Sequence, residues 1–93
     1  MKKFVQEKYA DAILQLCTGY KNKYPSTDNR TSQAVSRALE TLDKYSYYIL
    51  GMGYMLHVED IKYLREYVST LDVEKIGDIP VANLNEYLQQ LAK

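Results

Sequence analysis

The chain has no tryptophan, and only one phenylalanine, one cysteine and one histidine among its 93 residues. The lone Cys17 has no intrachain partner, so no internal disulfide closes and a reducing, intracellular setting is expected. One histidine is too few for a structural zinc site, which needs about four His, Cys or carboxylate ligands. Net charge is missing too: 12 Lys and Arg balance 12 Asp and Glu. A binder of duplex nucleic acid draws on surplus positive charge to displace counterions, so that class is disfavoured. No apolar run approaches the roughly 20 residues of a membrane span, and no membrane partner is expected. Met1-Lys2-Lys3 is basic, but it leads into Phe4-Val5-Gln6-Glu7-Lys8, not into the apolar stretch of a signal peptide. No Walker-type or GxGxxG loop exists, and Gly51-Met52-Gly53 is too short to cradle a phosphate alone.

What is present is tyrosine, ten of them. Tyrosine combines a flat apolar face with a hydroxyl, which suits wet interfaces and stacking on planar ligands; it is equally a serviceable core residue when the hydroxyl finds a partner. Hydrophobic residues make up 46% and charged residues 26%, enough apolar material for one small folded domain and too much for a disordered chain.

Helical periodicity dominates. Val5, Tyr9, Ala12, Ile13, Leu16, Cys17 and Tyr20 follow steps of three and four, predicting a first helix over about Lys3 to Lys23, ended by Pro25. Pro25-Ser26-Thr27-Asp28-Asn29 is the clearest turn, with Ser26, Thr27 or Asp28 available as the next helix cap. A second stripe, Val35, Ala38, Leu42, Tyr45, Ile49 and Met52, has a coiled-coil-like spacing and predicts an antiparallel helical hairpin over 3–52. Gly51 and Gly53 break the chain after it.

Two shorter helices are expected within about 58–92. Val58, Ile61, Tyr63, Leu64, Val68 and Leu71 mark the third, with Glu59 and Asp60 at its positive end and Asp72 to Ile76 as a further turn before Gly77. Asp78-Ile79-Pro80 reads as a cap with proline in the first turn of a fourth, whose stripe is Val81, Leu84, Leu88 and Leu91. No strand pattern survives comparison with these helices, so the expected fold is all-α, a single domain over 1–93.

Charge is uneven. Met1 to Tyr24 carries five Lys against two acids, and Gly53 to Lys93 four bases against seven acids; a solvated face or contact between copies would each account for it. Catalytic candidates are few. His57 with Glu59 and Asp60 is better read as a helix end than as a metal or acid–base site, and Cys17 on an apolar stripe is ordinary packing. No enzyme, metal or cofactor is expected. Binding is better supported: Tyr20 to Arg30 puts aromatic, cationic and hydroxyl groups at a helix N-terminus, where free N–H groups favour phosphate. A well-capped turn with no ligand fits the same residues.

Tyr9 on the first helix, Lys23-Tyr24-Pro25-Ser26 with Asp28 and Arg30, and the second-helix run Ala34-Val35-Ser36-Arg37-Ala38-Leu39-Glu40-Thr41-Leu42 resemble the helical hairpin of phage nucleotide sponges. That hairpin is shared by the anti-CBASS cyclic-oligonucleotide sponge and the anti-Thoeris sponge, and the short all-helical anti-CBASS type is the closer likeness. The resemblance covers rather more than half the chain. It departs at Tyr45, Tyr47 and Tyr48, where the family has small and Trp-type residues.

The resemblance implies a homo-oligomer, a hexamer, in the cytoplasm of an infected bacterial host, holding immune second messengers such as cyclic GMP-AMP and cyclic triadenylate without cleaving them. For cyclic dinucleotides it implies Tyr9 stacking on a base, Lys21 or Lys23 meeting phosphate beside Tyr24, and Ser26 or Thr27 adding a hydroxyl. For cyclic trinucleotides it implies Arg65, which would otherwise pair with Glu66 or the acids near Asp72. The alternative function is a small helical inhibitor docking its Tyr-rich face on a host protein.

Overall fold

The computed structural model describes residues 1–42 and 54–93. In chain order these form β1 (Lys2–Val5), α1 (Glu7–Lys23), α2 (Arg30–Leu42), β2 (Tyr54–His57), α3 (Val58–Ser69), β3 (Lys75–Ile76), β4 (Ile79–Pro80) and α4 (Val81–Leu91). The fold is mostly helical, with two small two-stranded antiparallel sheets, β1–β2 and β3–β4. None of the described helices is long and apolar enough to cross a membrane.

The strands correct the all-helical expectation. Lys2–Val5 pairs with Tyr54–His57 in the register Lys2↔His57, Lys3↔Leu56, Phe4↔Met55, Val5↔Tyr54. Val5, Tyr54 and Leu56 are buried while Phe4, Met55 and His57 are exposed, the period of two that a half-buried ladder needs. Val5 therefore belongs to the core as a strand residue, and α1 begins after Gln6, whose backbone is extended. A four-residue run is too short for its period to stand out from a helix, and its partner lies about fifty residues away.

From Glu7 onward α1 buries Ala10, Ala12, Ile13, Leu16, Cys17 and Tyr20. Glu7 in its first turn and Lys21 and Lys23 in its last oppose the helix dipole favourably. It stops at Tyr24, whose N–H still donates to the Tyr20 carbonyl at 2.8 Å, because the residue before Pro25 leaves helical geometry. The cap of α2 is Asn29 rather than Ser26, Thr27 or Asp28: its Oδ1 accepts from the Ser32 N–H at 2.8 Å. Val35, Ala38 and Leu42 are buried on α2; Tyr45, Ile49, Met52 and the Gly51/Gly53 break lie outside the described residues.

The C-terminal part differs in one further respect. α3 ends at Ser69, and the expected extra turn over Asp72–Ile76 is instead the start of a hairpin. Gly77 sits at φ +61°, and a Cβ there would come within 2.9 Å of the Gln15 side chain. The left-handed turn that only glycine takes easily reverses the chain, so Lys75–Ile76 meets Ile79–Pro80. Pro80 is extended (ψ 137°) and precedes α4 instead of lying in its first turn; the Val81 N–H donates to the Glu74 carbonyl at 2.8 Å.

One contiguous cluster of buried side chains unites the elements: Ile13, Leu16 and Cys17 from α1, Val35 and Leu42 from α2, Tyr54 and Leu56 from β2, Ile61, Leu64 and Val68 from α3, Leu84 and Leu88 from α4. α2 lies between α1 and α3, and α3 between α2 and α4. Arg37 on α2 forks onto Asp60 on α3, with Nε at 3.0 and 3.1 Å from the two carboxylate oxygens and Nη2 at 2.6 Å from Oδ1. Asp60 is 4% exposed and Arg37 52%, so the carboxylate depends on this partner while the guanidinium also reaches water.

Candidate ligand-binding site

Tyrosines gather where α1 ends, α2 begins and α3 ends. Tyr20 is buried; its hydroxyl lies 3.1 Å from Ser32 Oγ and donates to Asn29 Oδ1 at 3.4 Å. Its partners hold the ring in place, and two other rings pack on it. Tyr67 meets it edge-on, centroids 4.9 Å apart at 87°, and Tyr24 lies tilted against it at 4.9 Å and 46°. The first contact has the edge-to-face geometry that aromatic quadrupoles favour. Tyr24 is 37% exposed.

These rings open onto a surface depression of about 570 Å³, which Thr27, Asn29, Thr31, Glu66 and Thr70 also line. Lys23 Nζ is 5.5 Å from the Tyr24 ring centroid, within cation–π reach. Burial raises the Tyr67 phenol above its usual pKa and the charge of Lys23 opposes that rise, so Lys23 acts on both ring sites. The Thr70 hydroxyl is spent, donating to the Tyr67 carbonyl at 2.7 Å. The depression therefore offers aromatic faces, a carboxylate and hydroxyls, and the Lys23 ammonium lies over the ring of one of its lining residues, Tyr24.

The expected site residues divide by location. Lys23, Tyr24 and Thr27 belong to this region. Lys21 lines a second depression of about 240 Å³ with Asp28, Gln33, Ser36 and Arg37. Thr27 lines both, and Ser26 is exposed in the turn between α1 and α2. The two lysines are thus not interchangeable neighbours. Tyr9 is elsewhere: at about 1.5 Å per residue it lies roughly 20 Å down α1 from Lys23. There it stacks face to face on Tyr87 of α4, centroids 3.7 Å apart and planes at 8°, with Lys8 Nζ 5.0 Å from its centroid. Tyr87 in turn accepts from the Gln6 N–H at 2.9 Å, and burial raises its pKa. Arg65 lies on α3 outside the lining of the depression, and among the described residues it forms no ion pair with Glu66 or the acids near Asp72.

Sequence reading missed Tyr67, Thr31, Thr70 and Glu66. Tyr63 and Tyr67 are four apart on α3, the spacing that shares a helix face, but nothing local says which end of α1 that face meets. Tyr63 itself accepts from Arg30 Nη1 at 3.3 Å, which raises the Arg30 pKa.

Two other features carry less chemistry. A depression of about 560 Å³ is lined by Arg37, His57, Glu59, Asp60 and Lys62 with both chain ends, but no tyrosine lines it and Arg37 already engages the Asp60 carboxylate. His57 precedes α3 without capping it. Burial pushes the Cys17 thiol up to about 12, with Lys21 opposing, so the thiolate is scarce. Among the described residues no three His, Cys, Asp or Glu side chains converge as metal ligands do.

Comparison with family models, with curated proteins and with solved structures finds no match for this chain.

Proposed function

We propose that this chain binds cyclic oligonucleotides and holds them without cleaving them, sequestering second messengers of bacterial antiphage signalling. The observation that carries the reading is the depression where Tyr20, Tyr24 and Tyr67 converge beside Lys23 and the α2 N-terminus. A base stacked on tyrosine contributes about 1–3 kcal/mol. The exposed Tyr24 ring is the stacking surface, and Tyr67 forms the wall beside it. Lys23 pairs with phosphate, and the Thr27 and Thr31 hydroxyls complete its contacts. The resemblance of the hairpin to nucleotide sponges supports the choice of a cyclic ligand.

In the hexamer that the resemblance implies, Arg65 from neighbouring copies serves a separate cyclic-trinucleotide pocket, and Tyr9, stacked on Tyr87 of its own chain, braces α1 against α4 instead of meeting a base. Sequestration works by mass action, so affinity must be roughly nanomolar, about −12 kcal/mol. The test is calorimetric titration with cyclic GMP-AMP and cyclic triadenylate, then heating the complex and weighing the released nucleotide. Tight binding with intact ligand recovered supports the reading; a linear product makes the protein a nuclease; no heat with either ligand removes the nucleotide reading.

A further inference from the structure

We infer that Glu66 reads the base in this depression and selects guanine; the inference rests on the ligand-site reading above. Glu66 is exposed on α3, one residue before Tyr67, and lines the depression with the tyrosine rings. Among the described residues its carboxylate makes no ion pair or hydrogen bond. Lys62, four residues earlier and so on the same helix face, is instead 3.5 Å from Glu59. The other polar groups here are partly committed. Asn29 Oδ1 accepts from Ser32 and Tyr20, and the Thr70 hydroxyl donates to Tyr67. Glu66 is thus an uncommitted two-oxygen acceptor next to a stacking surface.

An ionised carboxylate only accepts, and its two oxygens match two adjacent donors. Guanine carries such a pair on its Watson–Crick edge, N1–H beside the N2 amino group. Adenine and cytosine place an acceptor nitrogen beside their amino group, which a carboxylate repels, and uracil has a single N–H between two carbonyls. A cationic ligand would also suit a carboxylate among tyrosines, but the ammonium of Lys23 near Tyr24 disfavours a second cation. Lys23 favours a ligand that brings its own negative charge, as a nucleotide does.

The test is calorimetric titration of the wild-type protein, Glu66→Gln and Tyr24→Ala with cyclic di-GMP and cyclic di-AMP. Glutamine keeps the shape and turns one acceptor into a donor. The wild type should prefer cyclic di-GMP by about tenfold. Glu66→Gln should lose that preference by weakening the guanine ligand alone, and Tyr24→Ala should weaken both. Equal wild-type affinities overturn base selection by Glu66 and leave the site reading intact. So does an equal gain for both ligands in Glu66→Gln, which would make Glu66 merely a repulsive charge near phosphate. If neither ligand binds the wild-type protein, the site reading falls and this inference with it.

Discussion

The two ends of α1 use the same residue type in opposite ways. Near its start Tyr9 lies flat on Tyr87, 3.7 Å away, and the pair joins α1 to α4 through the Tyr87 bond to Gln6. Near its end Tyr20 is buried and bonded, while Tyr24 beside it keeps more than a third of its surface in water. One end is a closed aromatic clasp, the other an open aromatic shelf. The contrast teaches that an excess of tyrosine is not one signal. A ring becomes structural when a second element covers its face, and it remains available to a ligand where the chain turns away, as it does at Pro25.

If this division is right, substitutions at the two ends separate stability from binding. The largest stability loss is expected for Tyr87→Ala, which removes a stacked ring and the acceptor of the Gln6 N–H: about 2–3 kcal/mol in urea unfolding, against about 1 kcal/mol for Tyr24→Ala, which removes only the half-exposed ring tilted on Tyr20. Equal losses would erase the distinction. Asp60→Ala, away from both ends, should cost about 1–2 kcal/mol by deleting the tie between α2 and α3, reduced because Arg37 is half in water. Tyr20→Phe keeps the shelf's shape but leaves Ser32 and Asn29 short of a partner, and should cost about 1 kcal/mol by the same unfolding measurement.

The last expectation concerns pH. Cys17 rises from an ordinary 9.0 to about 12 because burial disfavours the thiolate. The folded chain therefore holds this proton where the unfolded chain has released it. The contribution to stability is fully present below pH 9 and is lost as pH climbs from 9 towards 12, by at most about 1.4 kcal/mol per unit. The raised phenols of Tyr67 and Tyr87 act in the same direction above pH 10. Unfolding curves at pH 8, 9 and 10 for the wild type and Cys17→Ser check it: the wild type should lose more stability between 9 and 10 than the variant.

Much of the helical framework could be read from periodicity. The stripes on α1, α3 and α4 fall on buried residues from Ala12 to Tyr20, from Ile61 to Val68 and at Leu84 and Leu88. The strands could not be read this way, since Phe4 and Met55 are brought opposite by a pairing across half the chain. The Gly77 hairpin reads as a helix end in the sequence because glycine serves both purposes. At the candidate site the turn residues Lys23, Tyr24 and Thr27 stood out by composition. Tyr67 and Glu66 did not, because α3 supplies them from forty residues further on and only packing of α3 beside the hairpin brings them to the turn. The Tyr9–Tyr87 stack was equally invisible, for its two halves are 78 residues apart.

The measurement that bears most directly on the account is titration of cyclic GMP-AMP into the wild type and Tyr24→Ala, with the melting temperature of each recorded without ligand. The account predicts tight binding by the wild type, a loss of about tenfold or more in the variant, and a variant that still melts cooperatively within about 8 °C of the wild type. Wild-type protein that takes up no ligand, or a variant that binds as well as the wild type, would contradict it.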